Sequence, residues 1–431
     1  MPLPRSAVTE QRILRWEGTI TGRLNYQIVP WAEIQTLASF DYGSMDWERF
    51  VTDPNLIPEY NGYYWGPSFG ENRSYTDNQT TLRALIDYGH SVGENHDISG
   101  VVGYEQTESN FEEFRASRDQ FYNNDLRQLN LGNSTNDGNL GFGNSWALRS
   151  VFGRFNYELM GRYLFEFNAR YDGSSRFAEG HRYGFFPSFS VGWRVAEESF
   201  FNVDWVNELK FRGSWGQLGN QDVPLYSYYS AIDLGIPYHM GNASSSASVG
   251  GAATDLINEE LSWETTTVTN VGFDASFLDD RLSVTGDIYK RRTEDILLAL
   301  SVPDMVGLDA PFQNAGIVEN QGWEVSVGWR DNIGEVNYGV DVNLSDNQNE
   351  VIDLVDTGPY IEGGNLGGRV IQEGSPINAW YGLEVEGLYN SYEQIDNHAD
   401  VPGDPARLGD LIYVDQNNDG VINEAGSCGD R

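Results

Sequence analysis

Residues 163–172 read YLFEFNARYD, residues 185–194 read FFPSFSVGWR, and residues 209–216 read LKFRGSWG. In each stretch, large apolar residues occupy every second position and mostly polar or small residues stand between them, as where Phe165 and Phe167 flank Glu166. This period of two is typical of a β-strand with one apolar and one polar face. Each stretch has about the length of a tilted strand that crosses a membrane, roughly 9–11 residues.

The same alternation would also fit a half-buried strand of a soluble β-sandwich. Two features favour a membrane: the polar face carries Arg, Glu, Asp and Lys, and the apolar face carries Tyr, Phe and Trp towards the strand ends, as in an aromatic girdle. On this interpretation the polar residues line a solvated lumen. The candidates are Glu166, Asn168, Arg170, Ser188, Ser190, Arg194 and Arg212.

Bulk composition narrows the class of protein. The chain has 431 residues, 48 glycines and 13% aromatic residues, which suits many strands and turns, and a β-barrel can use this length as one domain, residues 1–431. The mean hydropathy of -0.47 and the lack of an apolar run near 18 residues exclude a helical membrane protein. A bilayer is therefore compatible only with spanning β-strands.

The charge and the single cysteine exclude further classes. A formal net charge of -37 would repel phosphate, so we expect no nucleic-acid partner. The acidic surface fits solvated loops, a saline habitat or cation-bridged contact with an anionic outer leaflet, and composition does not separate these. With Cys428 alone, no intrachain disulfide can form. Met1–Thr9 lacks the apolar core of a secretory signal. If the protein is exported, we therefore expect this sequence to lack the protein's N-terminal part.

Alternating segments recur in pairs with short turns, which predicts five hairpins. The pairs are Thr19–Ile28 with Ile34–Tyr42, Leu82–Ser91 with Ile98–Tyr104, Val151–Leu159 with Tyr163–Tyr171, Thr267–Phe277 with Leu282–Tyr289, and Gln321–Arg330 with Val336–Ser345. Long polar stretches separate them: Gly43–Thr80, Glu105–Arg149, Gln217–Ser262, Arg291–Asn320 and Asp346–Trp380. Short turns on one side and long loops on the other predict an all-β, antiparallel, up-and-down transmembrane β-barrel with short periplasmic turns and long extracellular loops.

Aromatic residues cluster in two of the predicted loops. They are Tyr63, Tyr64 and Trp65 in one loop and Tyr226, Tyr228 and Tyr229 in another. Among Asn, Asp, Gly and Ser, such rings suit stacking on a sugar or a peptide, and they equally suit loops that pack on themselves.

One acidic loop resembles the first half of a calcium loop. Asp415, Asn417 and Asp419 supply oxygens at positions 1, 3 and 5, and Val421 supplies a backbone carbonyl at position 7. Position 12 is Gly426 where a bidentate acid is expected, so an Asx-rich turn without metal stays open. No zinc-protease helix, nucleophile elbow or phosphate loop occurs, and no other cofactor is required. We expect no enzymatic activity.

Several blocks, in order along the chain, resemble the barrel of SusC/RagA-type TonB-dependent transporters of Bacteroidetes outer membranes. They are the run from RYLF at 162–165 through RYDGSSRF at 170–177, RYGFFPS at 182–188, LKFRGSWGQLGN at 209–220, NEELSWETTTVTNVGFD at 258–274, NAGIVENQGWE at 314–324, EGSPINAWYGLEVEG at 373–387 and the acidic loop at 415–422. Together they cover the chain from Val151 to its end, while Thr19–Tyr104 resembles the family more loosely.

The resemblance implies outer-membrane, energy-coupled uptake of oligosaccharides or peptides, with a SusD-like surface lipoprotein as a lid. It also implies a plug domain and an N-terminal segment through which TonB–ExbB–ExbD acts, and neither is recognisable in this sequence. The family's barrel is of the large plugged type with about 22 strands, whereas about twelve strands are predicted here up to Ser345, with one or two more at Trp380–Asn390 and Leu411–Val414. We therefore expect the chain to be a partial barrel from the middle of a transporter.

Two other functions fit the strand pattern without the resemblance. One is a soluble, secreted β-rich carbohydrate-binding or adhesion module in which the acidic loop is a structural calcium site. The other is a porin that allows passive diffusion.

Overall fold

The computed structural model describes residues 9–52, 67–135, 137–239, 247–299, 305, 307–355, 358–364, 367–403, 405–416 and 418–422. Within these ranges the structure is almost entirely β. The predicted loop residues Tyr63, Tyr64 and Trp65 and the metal candidate Asn417 lie outside the described residues.

The strands follow one another along the chain. They are β1 Thr9–Val29, β2 Ala32–Val51, β3 Phe69–Val92, β4 His96–Asp119, β5 Gly138–Leu159, β6 Tyr163–Ser174, β7 Tyr183–Arg194, β8 Val206–Asn220, β9 Ile232–His239, β10 Ala247–Ala253, β11 Glu264–Phe277, β12 Leu282–Glu294, β13 Leu297–Ala299, β14 Phe312–Asn314, β15 Ile317–Ile333, β16 Val336–Asp353, β17 Tyr360–Gly364, β18 Gly367–Ile371, β19 Ala379–Tyr381, β20 Val385–Leu388 and β21 Leu411–Tyr413. One short helix, α1, spans Tyr392–Asp396, and single 3₁₀ turns occupy Leu129–Leu131 and Val195–Glu197.

Twelve of these strands form one antiparallel sheet in the order β1-β2-β3-β4-β5-β6-β7-β8-β11-β12-β15-β16. Each strand therefore pairs with the next main strand along the chain, as in an up-and-down meander, and all five predicted hairpins are confirmed. The predicted count of about twelve strands agrees with this main sheet, whereas β9, β10, β13 and β14 form two small separate sheets. Among the described residues β1 pairs with β2 alone and β16 with β15 alone, so the sheet does not close. The two strands predicted near residues 385 and 412 are present, but β20 and β21 pair with each other.

The main strands are longer than predicted. β3 and β4 each have 24 residues, about 80 Å of extended chain, whereas the apolar band of an outer-membrane barrel is roughly 25 Å tall. The prediction that Gly43–Thr80 and Glu105–Arg149 are loops was wrong, because β2 continues to Val51, β3 begins at Phe69, β4 continues to Asp119 and β5 begins at Gly138. The sheet thus extends well beyond the band on the long-loop side.

The two faces of the sheet differ in solvent exposure, as the alternation predicts. We call the face that carries Phe165 and Val191 the outer face, and the opposite face, which carries Glu166 and Arg212, the inner face. Phe165 and Val191 pair across β6 and β7 and are 46% and 45% exposed. Glu166 and Arg212 are half-buried. Large apolar side chains on the outer face therefore meet the surroundings of the sheet and not a protein core.

The chemistry of each face changes along the long strands, while the alternation keeps its phase. On β4 the outer face carries Val102 and Tyr104 near the short turn, and Glu108 and Glu112 further up, all of them exposed. The inner face of the same upper segment carries the half-buried Phe111. The outer face is thus mostly apolar near the short turns and mixed further up, where the exposed Phe114 stands beside Glu112. This change is expected if lipid covers the lower strip and water covers the rest.

Connecting segments on the long-loop side build a small core. Phe177, Phe186, Val223, Leu261 and Trp263 are buried together there, with the Trp263 indole nitrogen donating to the Arg182 carbonyl at 2.9 Å. Phe186 belongs to β7, so this core lies against the inner face of the sheet.

Among the described residues, no helix has the length and apolar character to cross a membrane.

Candidate functional site

Ion pairs across neighbouring strands organise the lower inner face. The Arg212 guanidinium on β8 donates to both carboxylate oxygens of Asp287 on β12 at 2.6 Å each, and its Nε donates to Asp274 on β11 at 3.2 Å. Lys210 Nζ lies 3.7 Å from the same oxygen of Asp274. The register explains the grouping, because Gly272 faces both Arg212 and Asp287 and leaves room for the guanidinium to cross β11.

A second polar group joins β5 and β6. Arg154 Nε donates to Asn168 Oδ1 at 2.7 Å, and Asn168 Nδ2 donates to Glu166 Oε1 at 2.8 Å. Higher up, Arg170 donates to Asp172 at 2.8 Å and to the Ser150 hydroxyl at 2.7 Å. Most polar side chains of this wall are therefore held in place by their neighbours.

The other predicted lumen residues lie on the same face. Arg194 donates to Glu158 at 3.1 Å and to the Gly161 carbonyl at 2.8 Å, which ties the inner face to a short turn. Ser188 and Ser190 face Asn168 and Glu166 across β6 and β7. A cavity of about 370 Å³ brings Glu166, Ser190 and Arg212 together with other inner-face residues. All seven candidates thus share one face, and their role as lumen residues stays a prediction.

The loop tyrosines occupy different settings. The Tyr226 hydroxyl accepts a hydrogen bond from the Ser145 backbone N–H at 3.0 Å and lies 3.3 Å from the Ser145 carbonyl, where β5 continues above its last pair with β6. The Tyr228 hydroxyl donates to the Ser175 carbonyl at 3.2 Å. Both hydroxyls therefore attach the loop to the sheet and its neighbouring loop.

Tyr229 is 64% exposed, with its ring 4.8 Å from that of Tyr228. Tyr226 and Tyr229 line a cavity of about 570 Å³ together with Leu256, Pro311 and Phe312. A ligand role for these tyrosines has support from the cavity, whereas the hydroxyl contacts support a structural role for Tyr226 and Tyr228.

Sequence reasoning missed a group of inner-face residues on the upper part of β2–β5. Arg73 Nε donates to Glu71 Oε1 at 2.7 Å, and Arg115 Nε forms an ion pair with the same oxygen. The rings of Tyr75, Phe111 and Phe142 follow one another across β3, β4 and β5. These residues fell in segments predicted as loops. The signal was present, because polar and large residues still alternate there, but with the chemistry of the two faces exchanged.

A short turn fixes aromatic residues at the lower edge of the outer face. Glu198 follows the 3₁₀ turn Val195–Glu197 and accepts hydrogen bonds from the Tyr163 hydroxyl at 2.6 Å and the Trp193 indole at 3.0 Å. Arg162 donates to its other oxygen at 3.3 Å. The hydrogen bond from Tyr163, with help from Trp193 and Arg162, lowers the pKa of Glu198. Such an arrangement suits the aromatic belt at a membrane boundary.

The acidic loop is ordered by its own carboxylates. The two oxygens of Asp415 accept the backbone N–H groups of Asp419 and Gly420 at 3.2 and 2.9 Å, and Asp419 Oδ1 accepts that of Val421 at 2.8 Å. In the described part of the chain, no group of three or more His, Cys, Asp or Glu side chains is arranged to hold a metal ion. Calcium binding here stays a prediction.

The comparisons with known proteins agree with this architecture. Residues 5–420 match the family described as TonB dependent receptor-like, beta-barrel. TonB-dependent receptor P26 of Formosa agariphila is 30% identical over 401 residues, which make up 90% of this chain and 39% of that protein. TonB-dependent receptor SusC of Bacteroides thetaiotaomicron is 32% identical over 294 residues, 64% of this chain and 27% of that protein.

A solved structure shows the same fold. The RagAB peptide importer in its closed-closed state matches with a TM-score of 0.79 and 21% identity, over 96% of this chain and 44% of that chain. The chain thus spans less than half of the solved relative, and 36–39% of the first curated relatives.

Proposed function

Because this chain belongs to the TonB-dependent receptor-like β-barrel family, we propose that it forms part of the barrel wall of an outer-membrane importer that takes up oligosaccharides with energy supplied through TonB. The family consists of transporters and not enzymes, so the inner face needs no covalent chemistry. Transport would be an activity of the whole protein, since this chain spans 36–39% of the first curated relatives.

One observation carries the proposal: a single twelve-stranded sheet exposes an apolar strip on one face and a wall of paired charges on the other. In a soluble protein, the side chains of Phe165 and Val191, which are exposed in this sheet, would pack against other protein as a core. The ion pairs of Arg212 would then face water. In an outer membrane the strip meets lipid and the paired charges line the solvated lumen. Fixed polar groups on that wall would select the cargo.

The partners follow from the same relatives. A SusD-like surface lipoprotein would cover the long-loop end, and TonB–ExbB–ExbD would act from the periplasm on parts of the protein that precede this sheet. Similarity to SusC and to the RagAB importer supports this assignment. Peptides are the alternative cargo, because the fold match is to an importer whose cargo is peptide.

An uptake assay tests the proposal. Cells that express the complete gene product are given a fluorescent oligosaccharide with and without a protonophore, and their outer membranes are isolated. We expect the protein in the outer-membrane fraction and uptake that stops when the proton gradient is removed. Uptake that continues without the gradient would identify a passive porin, and protein recovered in the aqueous phase without detergent would identify a soluble module.

A further inference from the structure

The upper inner face of β2–β5 carries three arginines beside a strip of aromatic rings. We call Arg49, Arg73 and Arg115 the arginine cluster, and Tyr75, Phe111 and Phe142 the aromatic strip. The register places Arg49 opposite Glu71, and Arg73 opposite Arg115, so the cluster spans three adjacent strands. The strip begins two residues from Arg73 on β3 and continues across β4 and β5.

The cluster combines guanidinium nitrogens that are paired with a carboxylate and one that has no partner in the described part of the chain. Glu71 is 1% exposed and forms ion pairs with both Arg73 and Arg115 through one oxygen. Glu113 lies two residues from Arg115 on the same strand, and Asp77 and Asp119 lie on the same face of β3 and β4. Arg49 Nε is buried and has no hydrogen-bond partner among the described residues.

The guanidinium groups are oriented and partly accessible. Arg73 is stacked on the Trp47 ring at 4.9 Å and keeps 29% of its side chain exposed, and Arg115 keeps 36%. Their Nε atoms contact Glu71, and one terminal nitrogen of Arg73 donates to the Tyr75 hydroxyl at 3.3 Å. The other terminal N–H groups of these two arginines can serve a second acceptor. Guanidinium groups bind planar or tetrahedral oxyanions with paired, charge-assisted hydrogen bonds.

The aromatic strip offers flat apolar surface at the same height. The centroids of Tyr75 and Phe111 are 6.0 Å apart, those of Phe111 and Phe142 are 5.9 Å apart, and Phe142 is 46% exposed. In this part of the sheet the outer face carries Glu108, Glu112 and Phe114, whereas these rings lie on the inner face, so they are not part of the lipid-facing strip. Exposed rings on an inner wall are typical of a ligand site.

We propose that the arginine cluster and the aromatic strip form a subsite for an anionic glycan, an oligosaccharide that bears carboxylate or sulfate groups. The guanidinium groups bind the anionic substituent, and the rings contact the C–H faces of the adjoining sugar rings. The inference rests on the proposed function and adds the substrate class. A glycan fits better than an acidic peptide, because extended peptides gain affinity from free strand edges, and β3 and β4 are paired on both sides here.

Calorimetry on the complete importer, purified with its surface lipoprotein, tests the subsite. The probes are tetragalacturonate, a sulfated galactose tetrasaccharide, neutral galactotetraose and an acidic tetrapeptide. We expect at least one anionic saccharide to bind at least ten times more tightly than the neutral saccharide. Arg49→Gln and Arg115→Gln should each remove most of that difference in affinity. Phe111→Ala should weaken the binding of all three saccharides.

The matched control is Arg118→Gln, since Arg118 lies three residues along β4 on the outer face and pairs with Asp137 at 2.8 Å. It should leave every affinity unchanged, and thermal unfolding of each variant verifies folding. Equal affinity for neutral and anionic saccharides, no binding of either anionic saccharide, or binding of the acidic peptide alone would overturn the subsite. Gradient-dependent uptake of neutral glycans would leave the proposed function intact in each of these cases.

Discussion

Arg212 holds Asp287 by two hydrogen bonds of 2.6 Å, although the two residues are 75 positions apart in the chain. The strand between them, β11, contributes Asp274 to the same guanidinium and a glycine at the crossing point. Arg212 and its two aspartates therefore link three strands across the inner face.

Arg212→Ala should destabilise the protein, because Asp274 and Asp287 would be left near each other without their common cation. We expect a loss of about 1.5–3 kcal/mol, the usual range for hydrogen bonds to charged groups. Guanidinium unfolding in detergent micelles measures it. The double variant Arg212→Ala/Asp287→Ala should lose less than the sum of the two single variants, and strict additivity would mean that the contact contributes nothing.

Lysine on the outer face should be costly where lipid covers it. We expect Phe165→Lys or Val191→Lys to destabilise the protein in lipid vesicles by about 2–4 kcal/mol if the site is near the bilayer midplane. The matched inner-face changes are Ser190→Lys and Asn168→Lys, whose effects should be far smaller. Equal losses at both pairs in a vesicle unfolding assay would contradict the assignment of the two faces.

Glu198 should make stability depend on acid pH. Its pKa in the folded protein is lowered, chiefly by the hydrogen bond from Tyr163, so its stabilising contribution is complete above the ordinary glutamate pKa, about 4.3. That contribution is lost as the pH falls through the lowered folded value. Melting temperatures measured from pH 7 down to pH 3 should fall more steeply for the native protein than for Glu198→Gln. Glu197→Gln, the exposed neighbour, should behave like the native protein.

The acidic loop should bind calcium if its oxygens can leave their backbone partners. We expect calorimetric heat at millimolar calcium that Asp415→Asn abolishes, because Asp415 stands at the first ligand position. Asp410→Asn, five residues earlier and outside the motif, is the control. Absence of heat at millimolar calcium would reject the site and leave an Asx-stabilised turn.

Strands were correctly predicted wherever one face stays apolar and the other polar along the strand. In β6 and β7 the contrast between Phe165 and Glu166, or between Val191 and Ser190, persists through the strand, so period and face could both be derived. The upper parts of β2–β5 were assigned to loops because their outer face turns polar where the lipid ends. Glu108 and Phe111 still alternate there, but the expected apolar residue is on the other face.

The candidate site could be predicted only in part. That seven polar residues share one face followed from their spacing, since side chains two apart on a strand point the same way. Which of them make ion pairs did not follow, because the partner of Arg212 depends on how β8, β11 and β12 are aligned. The arginine cluster likewise exists only through the register that places Arg73 opposite Arg115.

The amino-acid order of this protein was enough to establish its twelve main strands near the short turns, those turns and the two chemistries of the wall, because backbone geometry imposes a period of two on every strand. The extent of the sheet beyond the lipid, the partners of each charge and the meeting of arginines with aromatic rings were settled by strand pairing. Pairing joins residues far apart in the chain, and no local pattern records that alignment.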